Sequence, residues 1–135
     1  MKKFFSTQPI AYDGGLFIVR VIFGLFMAYH GWEIFSEAKM NEYAPWDQFK
    51  DNPWLPYLGK GAELVGGIMM TLGWLTRPAA IIIACTMAYI SFFVGNGIVW
   101  YNDQHPFMFV LLALLFLFTG PGKYSVDAIL EKKLR

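Results

Sequence analysis

Residues 57–75 read YLGKGAELVGGIMMTLGWL, a run that is apolar enough to enter a membrane and yet contains Lys60 and Glu63. A charged side chain at the centre of a bilayer costs about 2.5–3.5 kcal/mol on insertion scales, so it needs a partner or a neutral form. The run therefore predicts a membrane-spanning helix, and it predicts other spans that supply partners for these two side chains.

The composition of the whole chain indicates a membrane protein. Of its 135 residues, 56% are hydrophobic and 16% are charged. Soluble domains average about 45–50% apolar residues and about 25% charged residues. The formal net charge of +1 gives no indication of a nucleic-acid partner. The single cysteine, Cys85, excludes an internal disulfide and a paired-thiol redox centre within the chain.

Three more apolar segments accompany this run. A helix needs about 20 residues to cross a hydrocarbon core of about 30 Å. We predict an all-α integral membrane protein, a four-transmembrane-helix bundle with a short C-terminal amphipathic helix, forming a single domain over residues 1–135. The predicted spans are about 14–35, 57–75, 79–98 and 106–120.

The connections are predicted from proline, glycine and aromatic residues. Residues 36–56 contain three prolines, Pro45, Pro53 and Pro56, which rule out a long helix, and the aromatic side chains of this segment suit a loop at the headgroup layer. Residues 76–78, Thr-Arg-Pro, indicate a tight turn. Ser125 can cap the short helix predicted for residues 125–135.

The distribution of basic residues predicts the orientation. Cytoplasmic segments of membrane proteins carry an excess of Lys and Arg. With both termini in the cytoplasm, two basic residues lie outside, Lys39 and Lys50, and seven lie inside: Lys2, Lys3, Arg77, Lys123, Lys132, Lys133 and Arg135. We therefore expect residues 1–13 to be a cytoplasmic N-terminus and not a cleaved signal peptide.

Several polar side chains are expected at the same depth in the membrane. The first and second spans run in opposite directions, so His30 is expected to reach Glu63, and Glu33 is expected to reach Lys60. His105 enters from the third loop on the same side. We predict a polar cluster just below the outer face, with His30 and Glu63 in hydrogen-bond contact.

Arg20 lies apart from this cluster, in the inner half of the first span. No acidic residue of the spans shares its depth, so three alternatives are open: it reaches the cytoplasmic interface, it contacts Asp127 or Thr119, or it binds an anionic lipid headgroup. Arg20, Arg77 and Asp127 are therefore assigned structural or lipid-anchoring roles. The small residues Gly24, Ala28 and Gly31 predict a close helix contact.

Three segments resemble the DoxX family of small bacterial membrane proteins in their order and spacing: IVRVIFGLFMAYHGWE, GAELVGGIMMTLGWLTRPAA and GPGKYSVDAIL. The family pattern has an Arg and a His-Gly step in the first span, then a Glu followed by paired glycines. It continues with G-x-x-T-R and closes with GPG-x-x-S-x-D. The matching positions are Arg20, His30, Gly31, Glu63, Gly66, Gly67, Gly73, Arg77, Gly120, Gly122, Ser125 and Asp127.

The resemblance implies a four-helix protein of the bacterial cytoplasmic (inner) membrane. Some relatives are subunits linked to thiosulfate oxidation with quinone as acceptor, and others are linked to oxidative-stress complexes. Our first hypothesis is a redox-associated accessory subunit with a site for a quinone-like or other small amphipathic ligand. The expected ligand-binding residues are His30, Glu33, Lys60, Glu63 and His105.

The same residues are compatible with other functions. The cluster would also suit a non-enzymatic scaffold or assembly subunit, in which it joins two helices. A small-solute or proton transporter would require a homo-oligomer, because four spans are few. Quinone is the candidate cofactor, and haem ligation by His30 and His105 is less favoured. We predict no catalytic residue and no metal site, and we expect the lipid bilayer and proteins of a membrane complex as partners.

Overall fold

In a computed structural model, which describes residues 7–135, the chain forms six α-helices and no strand within that range. A 3-10 turn at Trp32–Phe35 extends the first of these helices, and a π-helical segment at Ile90–Val94 extends the fourth. Lys2 and Lys3, which contribute to the predicted orientation, lie outside the described residues. The helices are α1 (Tyr12–Gly31), α2 (Glu37–Tyr43), α3 (Leu55–Leu72), α4 (Thr76–Tyr89), α5 (Gln104–Thr119) and α6 (Val126–Leu134).

A helix occupies each of the four predicted spans, but the predicted turn at residues 76–78 is wrong. α3 ends at Gly73, whose φ of +66° suits a glycine, and α4 already begins at Thr76. Pro78 fits into the first turn of α4, where a helix needs no backbone N–H donor. The predicted Ser125 cap of α6 is confirmed, because its hydroxyl accepts from the Ala128 N–H at 3.1 Å.

α1 and α3 approach each other closely along their glycines. A Cβ atom added to Gly67 would lie 2.8 Å from the Cα atom of Ala28 and 2.8 Å from the carbonyl oxygen of Gly24. A Cβ atom at Gly31 would meet the backbone of Leu64 in the same way. The predicted small-residue contact is therefore confirmed, and it includes backbone-to-backbone packing of the two helices.

Replacement of Gly67 by alanine is expected to lower the free energy of unfolding in detergent micelles by about 1–3 kcal/mol, because the added methyl group pushes α1 and α3 apart. Gly59→Ala is the matched control in the same helix, since a Cβ atom there would meet nothing within 4 Å. The control should be neutral or slightly stabilising. Equal stability of the two variants would contradict the close contact.

The four long helices bury one face and expose another. Their interior is a single apolar cluster that contains Phe23, Met27, Met70, Ile83 and Phe116. Outward-facing large apolar side chains remain exposed on each of these helices. Within the described residues, Tyr12–Phe35 and Thr76–Val94 are long and apolar enough to be candidate membrane spans, and Gln104–Thr119 is apolar but shorter.

The order of packing leaves one side of the bundle less closed than the others. α1 packs along α3, α3 along α4, and α4 along α5, whereas the backbones of α1 and α5 lie farther apart and these helices meet through side chains such as Phe23 and Phe109. An apolar groove therefore runs between α1 and α5 on the outside of the bundle, and it reaches His30 and His105 at one end.

Candidate functional site

Lys60 joins two carboxylates at one end of α3. Residues three apart in a helix lie on the same face, and the Lys60 Nζ atom is 3.0 Å from Glu63 Oε2. The same Nζ atom is 2.9 Å from Oε2 of Glu33, a residue of the 3-10 turn that follows α1. The side chains of Lys60 and Glu63 are only 14% and 3% exposed, so this is a buried ion pair. The predicted contact between Glu33 and Lys60 is confirmed.

Tyr43 completes the network from α2. Its hydroxyl donates to Glu33 Oε2 at 2.7 Å, and its ring centroid lies 5.4 Å from the Lys60 Nζ atom. Burial, and then the hydrogen bond to Glu33, raise the pKa of Tyr43 above its ordinary value, which keeps the hydroxyl a donor. Tyr43 was not predicted as part of the site, because no periodicity in the sequence connects α2 with the predicted spans.

The predicted hydrogen bond between His30 and Glu63 is absent. Lys60, one turn away on the same helix, binds the Glu63 carboxylate instead. His30 packs edge-on against His105, with ring centroids 5.7 Å apart, and the Phe109 ring lies 4.8 Å from that of His105. The two histidines thus form a separate pair next to the ion pair.

Two cavities lie against Lys60 and Glu63. The larger, which we call the aromatic cavity, has a volume of about 250 Å³, and the ion pair lines it together with Tyr43, Trp46, Phe49 and Tyr89. The smaller, the histidine cavity, has a volume of about 150 Å³, and His30 and His105 line it with the same ion pair. All of the expected ligand-binding residues except Glu33 therefore line the histidine cavity.

The segment of residues 36–56 and the end of α4 shape the aromatic cavity. Phe49 is only 7% exposed and stacks on Trp46 at 6.0 Å, so its ring turns towards the bundle and lines the cavity. Ile90, the first residue of the π-helical segment, lines both cavities. Such segments are frequent at functional sites, because they redirect side chains within a helix.

Arg20 does not reach lipid, which corrects the lipid-anchor alternative for this residue. Its side chain is 1% exposed, and its guanidinium donates to the carbonyls of Met70, Thr71 and Tyr124 at 3.0, 3.1 and 2.5 Å. The last carbonyls of a helix lack intrahelical donors and carry partial negative charge, so the end of α3 attracts a cation. Arg20 Nε finds no partner among residues 7–135.

Asp127 and Arg77 also make contacts between segments. The Asp127 carboxylate accepts from the N–H of Leu75 at 2.8 Å and from the N–H of Thr76 at 2.9 Å, so a residue of α6 caps α4. The exposed Arg77 side chain donates to the Leu117 carbonyl at 3.2 Å. Asp127 thus holds α6 against the turn between α3 and α4.

Residues 7–135 contain no group of three or more His, Cys, Asp or Glu side chains that could hold a metal ion. Instead, the site combines a buried cation, two carboxylates, a phenol and two imidazoles with apolar and aromatic walls. Such an arrangement can orient a small ligand that carries hydrogen-bond acceptors.

Comparisons with known proteins point to one family. The DoxX family profile matches residues 15–96. Inner membrane protein YqjF of Escherichia coli is 28% identical over 133 residues, which cover 90% of this chain and 95% of that protein. An uncharacterized protein of Haemophilus influenzae is 36% identical over 78 residues, 53% of this chain and 58% of that relative. No solved structure matches the chain significantly.

The matched region contains most of α1, all of α3 and α4, and the Lys60–Glu63 pair. It includes every residue that lines the aromatic cavity, whereas the α5 residues of the histidine cavity lie beyond it. The chain belongs to the DoxX family of membrane proteins.

Proposed function

We propose that this protein is a redox-associated accessory subunit of the bacterial inner membrane, and that it binds a quinone-like amphipathic ligand near the outer face. The observation that best supports this proposal is that the Lys60 side chain lines both the aromatic cavity and the histidine cavity. An ammonium has three N–H donors, and two of them are engaged by Glu33 and Glu63. One donor remains for the carbonyl oxygen of a ligand.

The proposed topology is a single domain with four spans and both termini in the cytoplasm. Exposed apolar faces on α1, α3, α4 and α5 support it, because soluble monomers rarely expose large apolar patches. The 16 residues of α5 rise only about 24 Å, so this helix would require a locally thin bilayer. The basic residues favour this orientation by seven to two.

The walls of the aromatic cavity suit a flat ring. Tyr43 and Trp46 pack edge-to-face at 5.1 Å, and Tyr89 of α4 lines the same cavity. Aromatic side chains bind a planar ligand by stacking and edge contacts. A quinone ring combines such a plane with carbonyl acceptors for Lys60.

The proposal is tested by extracting the small molecules that copurify with the protein in mild detergent and identifying them by mass spectrometry. We expect a quinone to be retained by the wild type and lost in Glu63→Gln, because the neutral amide no longer fixes the Lys60 ammonium. Glu42→Gln is the matched control, since this carboxylate is exposed and pairs with Lys39. Extracts that contain only phospholipid would contradict the proposal.

One observation favours the second candidate, a non-enzymatic scaffold. Lys60, Glu33, Glu63 and Tyr43 bind one another directly, and these contacts join α2 and α3 to the turn that follows α1. A scaffold predicts that Glu63→Gln lowers the amount of a copurifying membrane complex in proportion to the loss of folded subunit. The quinone proposal predicts ligand loss at unchanged complex amount.

A further inference from the structure

We propose that the ligand carries one long apolar chain, which lies in a groove between α3 and α4 and enters from the bilayer through that groove. This inference rests on the proposed function, because it places the polar head of the ligand at Lys60. It identifies the ligand class as a membrane lipid with a flat head, in contrast to a small water-soluble molecule.

The α3–α4 groove is apolar and open to the outside of the bundle. It has a volume of about 270 Å³, and Leu58, Ala62 and Cys85 line it. Leu58 and Cys85 are exposed. Gly59 keeps the groove open, since a Cβ atom there would meet nothing within 4 Å. An apolar chain could therefore lie in the groove while its far end stays in the bilayer.

The groove continues into the aromatic cavity. Both are lined by Leu55, Gly59, Thr86 and Tyr89, so the two spaces share one wall of α3 and one of α4. Lys60 and Glu63 lie at the cavity end, and Cys85 lies in the groove. The combined space is polar at one end and apolar at the other, which matches an amphipathic molecule with a single chain.

The larger groove between α1 and α5, of about 550 Å³, is the competing path for a chain. It shares His30, His105 and Phe109 with the histidine cavity but none of its lining residues with the aromatic cavity. A ligand whose ring occupies the aromatic cavity therefore places its chain between α3 and α4.

The test compares two fully substituted benzoquinones, one with a ten-carbon chain and one with only methyl and methoxy groups. Each is bound to the full-length protein in phosphatidylcholine nanodiscs, and retained ligand is quantified at fixed lipid content after subtraction of empty discs. Cys85→Trp fills the α3–α4 groove, and Met108→Trp is the matched control in the α1–α5 groove. Both positions are exposed, so both variants should fold, which a thermal unfolding scan checks.

We expect Cys85→Trp to weaken binding of the ten-carbon quinone about tenfold or more and to leave the short quinone unaffected. Met108→Trp should leave both ligands unaffected. Weakening of the ten-carbon quinone by Met108→Trp alone, or equal binding by all three proteins, would overturn the α3–α4 assignment while leaving the proposed function intact. Failure of the wild type to bind either quinone would instead overturn the proposed function.

Discussion

Replacement of Arg20 by alanine is expected to lower the free energy of unfolding by at least about 3 kcal/mol and to loosen the segment that precedes α6. The guanidinium donates to two carbonyls at the end of α3 and to the Tyr124 carbonyl just before α6. A hydrogen bond from a charged group contributes about 1.5–3 kcal/mol, and the removed side chain also leaves a cavity. Reversible unfolding in mixed micelles measures the loss.

Loosening of the segment before α6 has its own readout. The segment between α5 and α6 contains Lys123, and trypsin should cleave there much faster in Arg20→Ala than in the wild type. Arg20→Lys should be intermediate, since one ammonium cannot reproduce the planar fork that reaches both α3 and Tyr124. Arg77→Ala is the control, because this exposed arginine makes one hydrogen bond to a carbonyl. An Arg20→Ala protein as stable as Arg77→Ala would refute the role of Arg20.

Replacement of Lys60 by methionine is expected to destabilise the protein by about 3–5 kcal/mol, because it leaves the buried Glu63 carboxylate without its counterion. The removed side chain also pairs with Glu33, but Glu33 keeps the Tyr43 hydroxyl as a donor. Chemical unfolding in detergent measures the change. Lys50→Met is the matched control, since Lys50 pairs with Asp47 at the surface and such pairs contribute little.

A double variant separates loss of charge balance from loss of packing. Lys60→Met combined with Glu63→Met removes the cation and the anion together, and it should recover most of the stability lost in the single variant. Replacing a buried ion pair by apolar side chains is often neutral or stabilising. A double variant no more stable than Lys60→Met would show that the ammonium acts through contacts other than the ion pair.

Three features of the fold could be predicted from the sequence: the α-helical class, the four helical segments and the small-residue contact of α1 with α3. These features depend on segment length, apolar composition and residue spacing, which are local properties of a helix. The ion pair of Glu33 with Lys60 could be predicted as well, since antiparallel neighbours bring residues of matching depth together. The turn before α4 was misplaced, because proline is acceptable both in a turn and in the first turn of a helix.

The candidate site depended more strongly on the tertiary structure. Glu63 was assigned to His30, but side-chain direction, and not depth alone, decides which partner a carboxylate meets, and Lys60 on the same helix was nearer. The aromatic cavity also needed residues 36–56 to fold back, which brings Tyr43 and Phe49 against α3. Residues 36–56 contain no repeat or periodicity from which this fold-back could be predicted.

The sequence by itself thus determined the helices, their apolar faces and the set of polar residues inside them, because these follow from composition and period along one chain. Only the tertiary structure decided which polar groups meet. Arg20 binds the exposed carbonyls at the end of α3, and Asp127 caps α4 from α6. Both contacts join residues at least 50 positions apart in the sequence, so they arise only when helix ends are packed against one another.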